Sequence, residues 1–284
     1  MEISVKNSSV IIGLFLVTML GCSKDDNPVD LGDNDFVYPL TVGNKWEYSR
    51  AFSIFNFRSD STDSTPGDTI FATSSIEIVR TDTLLDSIEC FVLREVFTEQ
   101  EDTFVDESYY SNEEDGLYHW AYNGAGYAIP KTIAGKRIYF KGRYFSSVRE
   151  ISRFVERAIA KRIVMSDSIY YEDPPLQSLA YPLSDGLQWT YAGNPWRHDK
   201  KVVGEENVTV AAGTFRCYKI QRLIDLDDNG EWDDDIEFYD YMSSQGLIER
   251  DALFKDMIWV NERGLGLGIF DSRDKYELTG LNLK

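Results

Sequence analysis

The chain has 284 residues, with 48 Asp and Glu against 29 Lys and Arg, a net charge of −19, and 43% hydrophobic residues. This composition supports one large core or two ordinary ones and excludes a disordered acidic chain. The surplus of acids excludes nucleic acid as a partner, because phosphate backbones are held by surplus cations. Two histidines (His119, His198) and three cysteines leave little material for a zinc site or a Cys/His nucleophile.

In chain order, Val10–Leu20 is an eleven-residue apolar run with Lys6 ahead of it and Gly21-Cys22 behind. It is too short to span a bilayer as a helix and has the proportions of a signal-peptide core. The run Met19-Leu20-Gly21-Cys22 resembles a bacterial lipobox. The resemblance implies cleavage after residue 21 and a diacylglycerol on Cys22, an anchor worth about 0.8 kcal/mol per buried CH₂. The alternative is an ordinary secretory signal with an incidental Cys. The polar Ser23-Lys24-Asp25-Asp26-Asn27 resembles the Lys-acid-acid export tag that sends lipoproteins of diderm bacteria to the outer face of the outer membrane. The expected location is therefore a lipid-anchored place on the outer membrane and the cell surface, the alternative being its periplasmic face. Residues 22–35 then read as a solvated acidic tether.

Inside the mature chain, YPLTVGNKWEY at 38–48 recurs as YPLSDGLQWTY at 181–191. Each copy is followed by an alternating segment with one cysteine, around Cys90 and Cys217. Each then reaches a Tyr-rich segment ending in Gly-Leu, at 107–120 and 237–250. Three landmarks in one order read as two copies of one unit. Apolar and polar residues alternate at Trp46 and Tyr48, Ile76 and Ile78, Phe91 and Leu93, Val208 and Val210, and Tyr218 and Ile220, with turn signals at Gly43-Asn44, Gly213-Thr214 and Asn229-Gly230.

The expected fold is all-β and mainly antiparallel: two repeated curved β-meander units with one short basic amphipathic helix between them. The two sheets either curl over separate cores or pack face to face. The first unit spans 36–130, the basic insert 131–175 and the second unit 176–284. Residues 59–75 read as a polar, flexible insertion, and the last strands as Met257–Val260, Gly266–Phe270 and Tyr276–Leu281. The landmark set resembles uncharacterised bacterial surface lipoproteins with the open, curved sheet of lipoprotein-carrier-like proteins. That resemblance implies a fold and transfers no catalytic residue.

Residues 131–162 hold ten cations and two acids, so the rest of the chain carries −27. Ser147 to Glu150 has capping-box form, after which Val148, Ile151, Val155 and Ile159 share one helical face and Arg149, Arg153, Arg157 and Lys161 form an i, i+4 row. That basic row reads either as a surface for anionic lipid or an acidic partner, or as part of a helix that lays its apolar face across the sheet opening and neutralises the chain's own acids.

Residues 225–240 contain nine carboxylates and no cation. Asp225-x-Asp227-x-Asn229-Gly230 matches the first half of an EF-hand-type loop, so Asp225, Asp227, Asn229, Glu231, Asp233 and Glu237 form a candidate calcium set. The match fails at position twelve, Ile236, and the bland alternative is an Asn-Gly turn whose acids point into water. Cys90 and Cys217 are expected to be buried free thiols. Gly264 to Gly268 reads as a turn entering a strand, and neither histidine stands in a catalytic spacing.

The functional expectation is a non-catalytic, membrane-anchored lipoprotein of the cell envelope that binds a ligand or partner, with glycan, lipid or an envelope protein as candidates. The alternative is an extracellular glycan-binding or glycan-hydrolysing accessory protein.

Overall fold

The computed structural model describes residues 36–58, 69–124, 136–157, 169–193 and 196–284. Fourteen strands and one helix follow in order: β1 (Lys45–Arg58), β2 (Thr69–Leu84), β3 (Ile88–Glu99), β4 (Asp102–Glu113), β5 (Gly116–Gly124), β6 (Lys136–Phe140), β7 (Arg143–Phe145), α1 (Val148–Arg157), β8 (Tyr170–Ala180), β9 (Gln188–Ala192), β10 (Arg197–Val210), β11 (Gly213–Asp225), β12 (Ile236–Ser243), β13 (Gly246–Asn261) and β14 (Gly266–Asn282). The chain is all-β and antiparallel, as the alternation requires.

The strands do not divide into two sheets. They form one, in the order β8-β5-β4-β3-β2-β1-β14-β13-β12-β11-β10-β9, with the β6–β7 hairpin attached to β13. The join is made between the two ends of the described chain: Trp46 on β1 pairs with Leu281 on β14, and the ladder continues to Arg58 and Ile269. The sheet curls until β8 and β9 lie side by side. Across that seam Trp189 donates its Nε1 to the Gln177 carbonyl at 3.0 Å, and Lys200 donates Nζ to the Ser178 carbonyl at 2.8 Å. The result is a nearly closed barrel of twelve strands, which leaves little free edge.

The recurrent sequence landmarks fall at matching places in this order. The first YPL segment enters β1 and the second enters β9; Cys90 lies on β3 and Cys217 on β11; the Gly-Leu steps open β5 and β13. The two YPL segments meet at one barrel end. There the Tyr38 backbone N–H donates to the Tyr181 hydroxyl at 2.9 Å and Phe36 packs edge-on against Tyr181. The glycines of the Gly-Leu steps admit close neighbours: a Cβ on Gly246 would stand 2.9 Å from the Trp46 indole nitrogen, and one on Gly116 would stand 2.3 Å from the Leu179 carbonyl. Both cysteines are free and buried, and burial pushes the Cys90 thiol up to about 11 and the Cys217 thiol up to about 12.

Three boundaries differ from the sequence expectation. Residues 69–75 belong to β2, paired to β1 through Phe52 and Ile70, and residues 59–68 lie outside the described residues. Met257–Val260 is the end of β13, and Gly266–Phe270 and Tyr276–Leu281 belong to the single strand β14. Finally, β8 crosses residue 175, the expected edge of the second unit, to pair with β5.

Helix α1 covers the barrel end opposite the YPL segments. Val148, Ile151 and Val155 are buried against Phe140, Phe145, Trp196 and Phe254. Its N-terminus is capped as the sequence anticipates: the Glu150 N–H donates to Ser147 Oγ at 3.2 Å, while the Glu150 carboxylate accepts from the backbone and side chain of Ser146. Among the described residues, no helix is long and apolar enough to cross a membrane.

Candidate functional site

Alternation along the strands places every second side chain inside the barrel. On six neighbouring strands that inward row places one charged residue next to an apolar one. On β1 it is Tyr48, Arg50, Phe52; on β14 Tyr276, Asp274 and, further on, Phe270; on β13 Ile248, Arg250, Ala252. On β12 it is Met242, Asp240, Phe238; on β11 Ile220, Arg222, Ile224; and on β10 Val202, Lys200 and the fully buried His198. The barrel therefore holds two apolar cores, one under the YPL segments and one under α1, with a charged belt between them.

The belt is a chain of alternating ions. Asp274 takes two bonds from Arg50, 2.9 Å from Nε and 2.5 Å from Nη2. Arg50 also reaches Glu156 on α1 at 2.9 Å, and Glu156 meets Arg250 at 3.2 Å. Arg250 then bonds Asp240 at 2.6 Å, and Asp240 bonds Arg222 at 2.7 Å. Burying an ion costs several kcal/mol unless it is paired, so a chain in which each interior member faces two opposite charges is the arrangement that can persist. Aromatic rings cover the guanidinium faces, Phe238 at 4.3 Å from Arg222 and Phe52 at 4.8 Å from Arg50. Burial alone would raise the Glu156 and Asp240 carboxyls. The guanidiniums beside them prevail and hold both below the usual range, Glu156 down to about 2.

At its β10 end the alternation breaks. Lys200 is paired in register with Arg222, so two cations are neighbours. The Lys200 ammonium is in ion-pair contact with no carboxylate among the described residues; besides the Ser178 carbonyl, the Tyr191 ring lies 4.2 Å from Nζ. Burial, followed by Arg222, holds its pKa well below the ordinary lysine value. Burial does the same to His198, again with Arg222 and Lys200 adding to it.

Between this belt and the opposite wall lies a cavity of about 220 Å³. Its far side is built from β2–β5 and β8: Ile76, Leu93, Glu95, Ser108, Tyr110, Leu117, His119, Tyr122, Ser178 and Leu179. Tyr38, Tyr48, Tyr191 and Tyr276 complete it. Burial raises the pKa of each of these four phenols, so they stay protonated as donors; Tyr48 donates to the Leu247 carbonyl at 2.9 Å. The belt was not singled out in the sequence, and the two histidines, His198 at its β10 end and His119 on the opposite wall, were given no role there. The signal was there, as one charged residue at an inward position of six alternating segments.

The residues singled out from sequence are arranged differently. In the acidic hairpin, Asp225 accepts the Asn229 and Gly230 N–H groups at 3.0 and 2.8 Å, and Asp233 accepts the Leu226 N–H at 2.8 Å. Lys141 of the β6–β7 hairpin enters between Asp233 and Asp235, at 2.7 and 2.9 Å. Glu237 on β12 pairs across the sheet with Lys255 on β13. Backbone N–H groups are thus the partners of Asp225, and a backbone N–H together with Lys141 those of Asp233. Among the described residues, no group of three or more His, Cys, Asp or Glu forms a metal-binding cluster.

The basic row of α1 is not a solvent face where it is described. Arg149 is buried, bonds Glu99 at 2.9 Å and lies 5.1 Å from the Phe104 ring, and Arg153 lies 5.6 Å from Phe97. Lys161, Cys22 and the tether are outside the described residues, as is the side chain of Arg157.

Outside the barrel, a groove beside the β4–β5 turn is lined by Phe91, Tyr118, Trp120 and Tyr181 together with Glu89, Glu113, Glu114 and Asp115. Trp120 donates to Ser111 at 2.8 Å and Tyr118 to Asp115 at 3.1 Å, which fixes both rings by their edges.

No protein-family model matches the chain, and no curated protein matches it in sequence. Among solved structures it is similar to a protein described as exported, with a YmcC-like fold, from Bacteroides fragilis NCTC 9343. That likeness has a TM-score of 0.33 and 11% identity, over 87% of this chain and 99% of the other. It is also similar to a protein described as a lipoprotein from Parabacteroides distasonis ATCC 8503, with a TM-score of 0.31 and 13% identity over 88% and 100% of the two chains.

Proposed function

We propose that this chain is a non-catalytic lipoprotein of the bacterial envelope, anchored through Cys22 and the tether 22–35, whose barrel interior binds a small polar molecule. The observation that carries the binding reading is the cavity itself, a space of about 220 Å³ walled by a charged belt on one side and by tyrosines, His119 and Glu95 on the other. A lipid carrier would need a deep apolar cavity, and this one is polar. A non-catalytic role is favoured because the belt carboxylates Asp240, Asp274 and Glu156 are each held by arginine, which withholds them from proton transfer. The matching positions of the YPL, Cys and Gly-Leu landmarks support the reading of the barrel as a duplicated meander.

Two measurements test this. Metabolic labelling with a radioactive fatty acid should mark the wild type and not Cys22→Ser; equal labelling would remove the anchor. The melting temperature should rise with at least one small polar solute at millimolar concentration and not with palmitate; the reverse order would replace the polar site with a lipid site.

The groove with Trp120 and Tyr118 favours a second reading, a glycan-binding accessory protein, since ring faces fixed at their edges can stack on sugar rings. Binding of an oligosaccharide that is lost in Trp120→Ala would support it.

A further inference from the structure

The cavity has two charged poles that the protein itself leaves unpaired. Lys200 stands at the end of the belt beside Arg222, and Asp240, the belt carboxylate nearest in sequence order of the ion chain, is already shared between Arg222 and Arg250. Glu95, on the far wall, accepts a hydrogen bond from the Ser74 hydroxyl at 2.8 Å and is in ion-pair contact with no cation among the described residues. The two poles sit on β10 and β3. Around the twelve-strand ring these strands are five steps apart through the seam and seven steps the other way, which places them on nearly opposite walls. For the buried Lys200, a charge without a partner is costly, and the cost is removed by a ligand that brings the opposite charge to it; Glu95 is half-buried and lines the same cavity. Between the poles lies room for roughly seven waters at about 30 Å³ each, and therefore for a solute of roughly eight to ten non-hydrogen atoms.

Resting on the reading of this cavity as a ligand site, we propose that its ligand is a small zwitterion of the α-amino-acid type, its carboxylate at Lys200 and Arg222 and its ammonium at Glu95. The hydroxyls of Tyr38, Tyr191 and Tyr276 then serve the remaining lone pairs, that of Tyr48 being held by the Leu247 carbonyl at 2.9 Å, and the leucines of the far wall, Leu93 and Leu117, meet the side chain. Neither pole alone selects this class; a monocarboxylate would leave Glu95 unpaired and an amine would leave Lys200 unpaired. The depressed affinity of Lys200 for its proton fits a site that charges fully only when the carboxylate arrives. The groups facing it are Arg222, Arg250 and Asp240 of the belt, with the Tyr191 ring below.

Titration calorimetry on the full chain tests this with five probes: glycine, L-leucine, 4-methylpentanoate, 3-methylbutylamine and D-xylose. The expected result is that at least one of the two amino acids binds at least 10-fold more tightly than either singly charged analogue, and that Lys200→Met and Glu95→Gln each reduce this binding at least 10-fold. For the unaltered protein, the binding heat in two buffers of different ionisation enthalpy, compared at several pH values between about 7 and 9, should reveal net proton uptake on binding. Equal heats in the two buffers would overturn the assignment of the carboxylate to Lys200, and this readout needs no variant to fold. Binding of 4-methylpentanoate as tight as that of L-leucine would overturn the zwitterion. Binding of D-xylose without either amino acid would also overturn it while leaving the cavity as a ligand site. Binding of none of the five would overturn both.

Discussion

Glu156 is the side chain on which the interior depends most closely. It leaves the last turn of α1 to meet Arg50 and Arg250, tying the helix to the sheet and linking two halves of the belt. Its folded-state pKa of about 2 lies below its ordinary 4.5, so its stabilisation is fully present above pH 4.5 and is lost as pH falls toward 2. At about 1.4 kcal/mol per pH unit, the loss over that window is about 3 kcal/mol. His198 acts at higher pH. Its folded pKa is held well below 6.5, so the unfolded chain takes up a proton that the folded one refuses, and stability already falls as pH drops through 6.5. Urea unfolding from pH 8 to pH 2.5 should therefore show stability falling through both windows, in addition to the decline that the depressed Lys200 begins below pH 10.5, with Glu156→Gln flattening the acid limb and lowering stability at pH 7. An unchanged acid limb in that variant would place the acid sensitivity elsewhere.

At the scale of elements, α1 is held by packing more than by its intrinsic preference, since ten residues alone form a marginal helix in water. Ile151 is fully buried in the core beneath the helix, and Ile151→Ala should cost about 2–4 kcal/mol in denaturant unfolding, against about 1 kcal/mol for the cap variant Ser147→Ala. Equal effects would mean that the helix is not seated on the barrel. The helix, its cap and its apolar face were legible in the sequence because each rests on spacing within one turn. The orientation of Arg149 was not, because Glu99 and the Phe104 ring that receive it come from β3 and β4, some fifty residues earlier. Strand lengths were misread for a comparable reason. In β13 the alternation is interrupted at Lys255-Asp256, where Asp256 takes a left-handed backbone conformation and the pairing register shifts between Phe254 and Met257. A bulge of this kind carries a strand onward while resetting which face each residue meets, and a strict period of two ends there.

For the whole molecule, the strands and their landmarks were readable locally, whereas the pairing of β1 with β14 was not, since it depends on where two distant segments meet. That pairing turns two expected sheets into one barrel and gives the barrel an interior wide enough for a belt of ions. The charge of −19 looks different in that light. Several of the charges that matter most are buried, and Lys200 and Glu95 line one cavity from strands far apart in the sheet. In the acidic hairpin, with the densest run of carboxylates, Asp225 is bonded by backbone N–H groups and Asp233 by Lys141, while Asp227, Asp228, Glu231 and Asp234 are exposed. The most direct test is a crystal structure of the protein soaked with glycine or L-leucine, whichever binds more tightly in calorimetry. The account predicts the amino acid inside the barrel, with its carboxylate within hydrogen-bond distance of Lys200 Nζ and its ammonium within that distance of Glu95. A cavity holding only ordered water in the same crystals would contradict it.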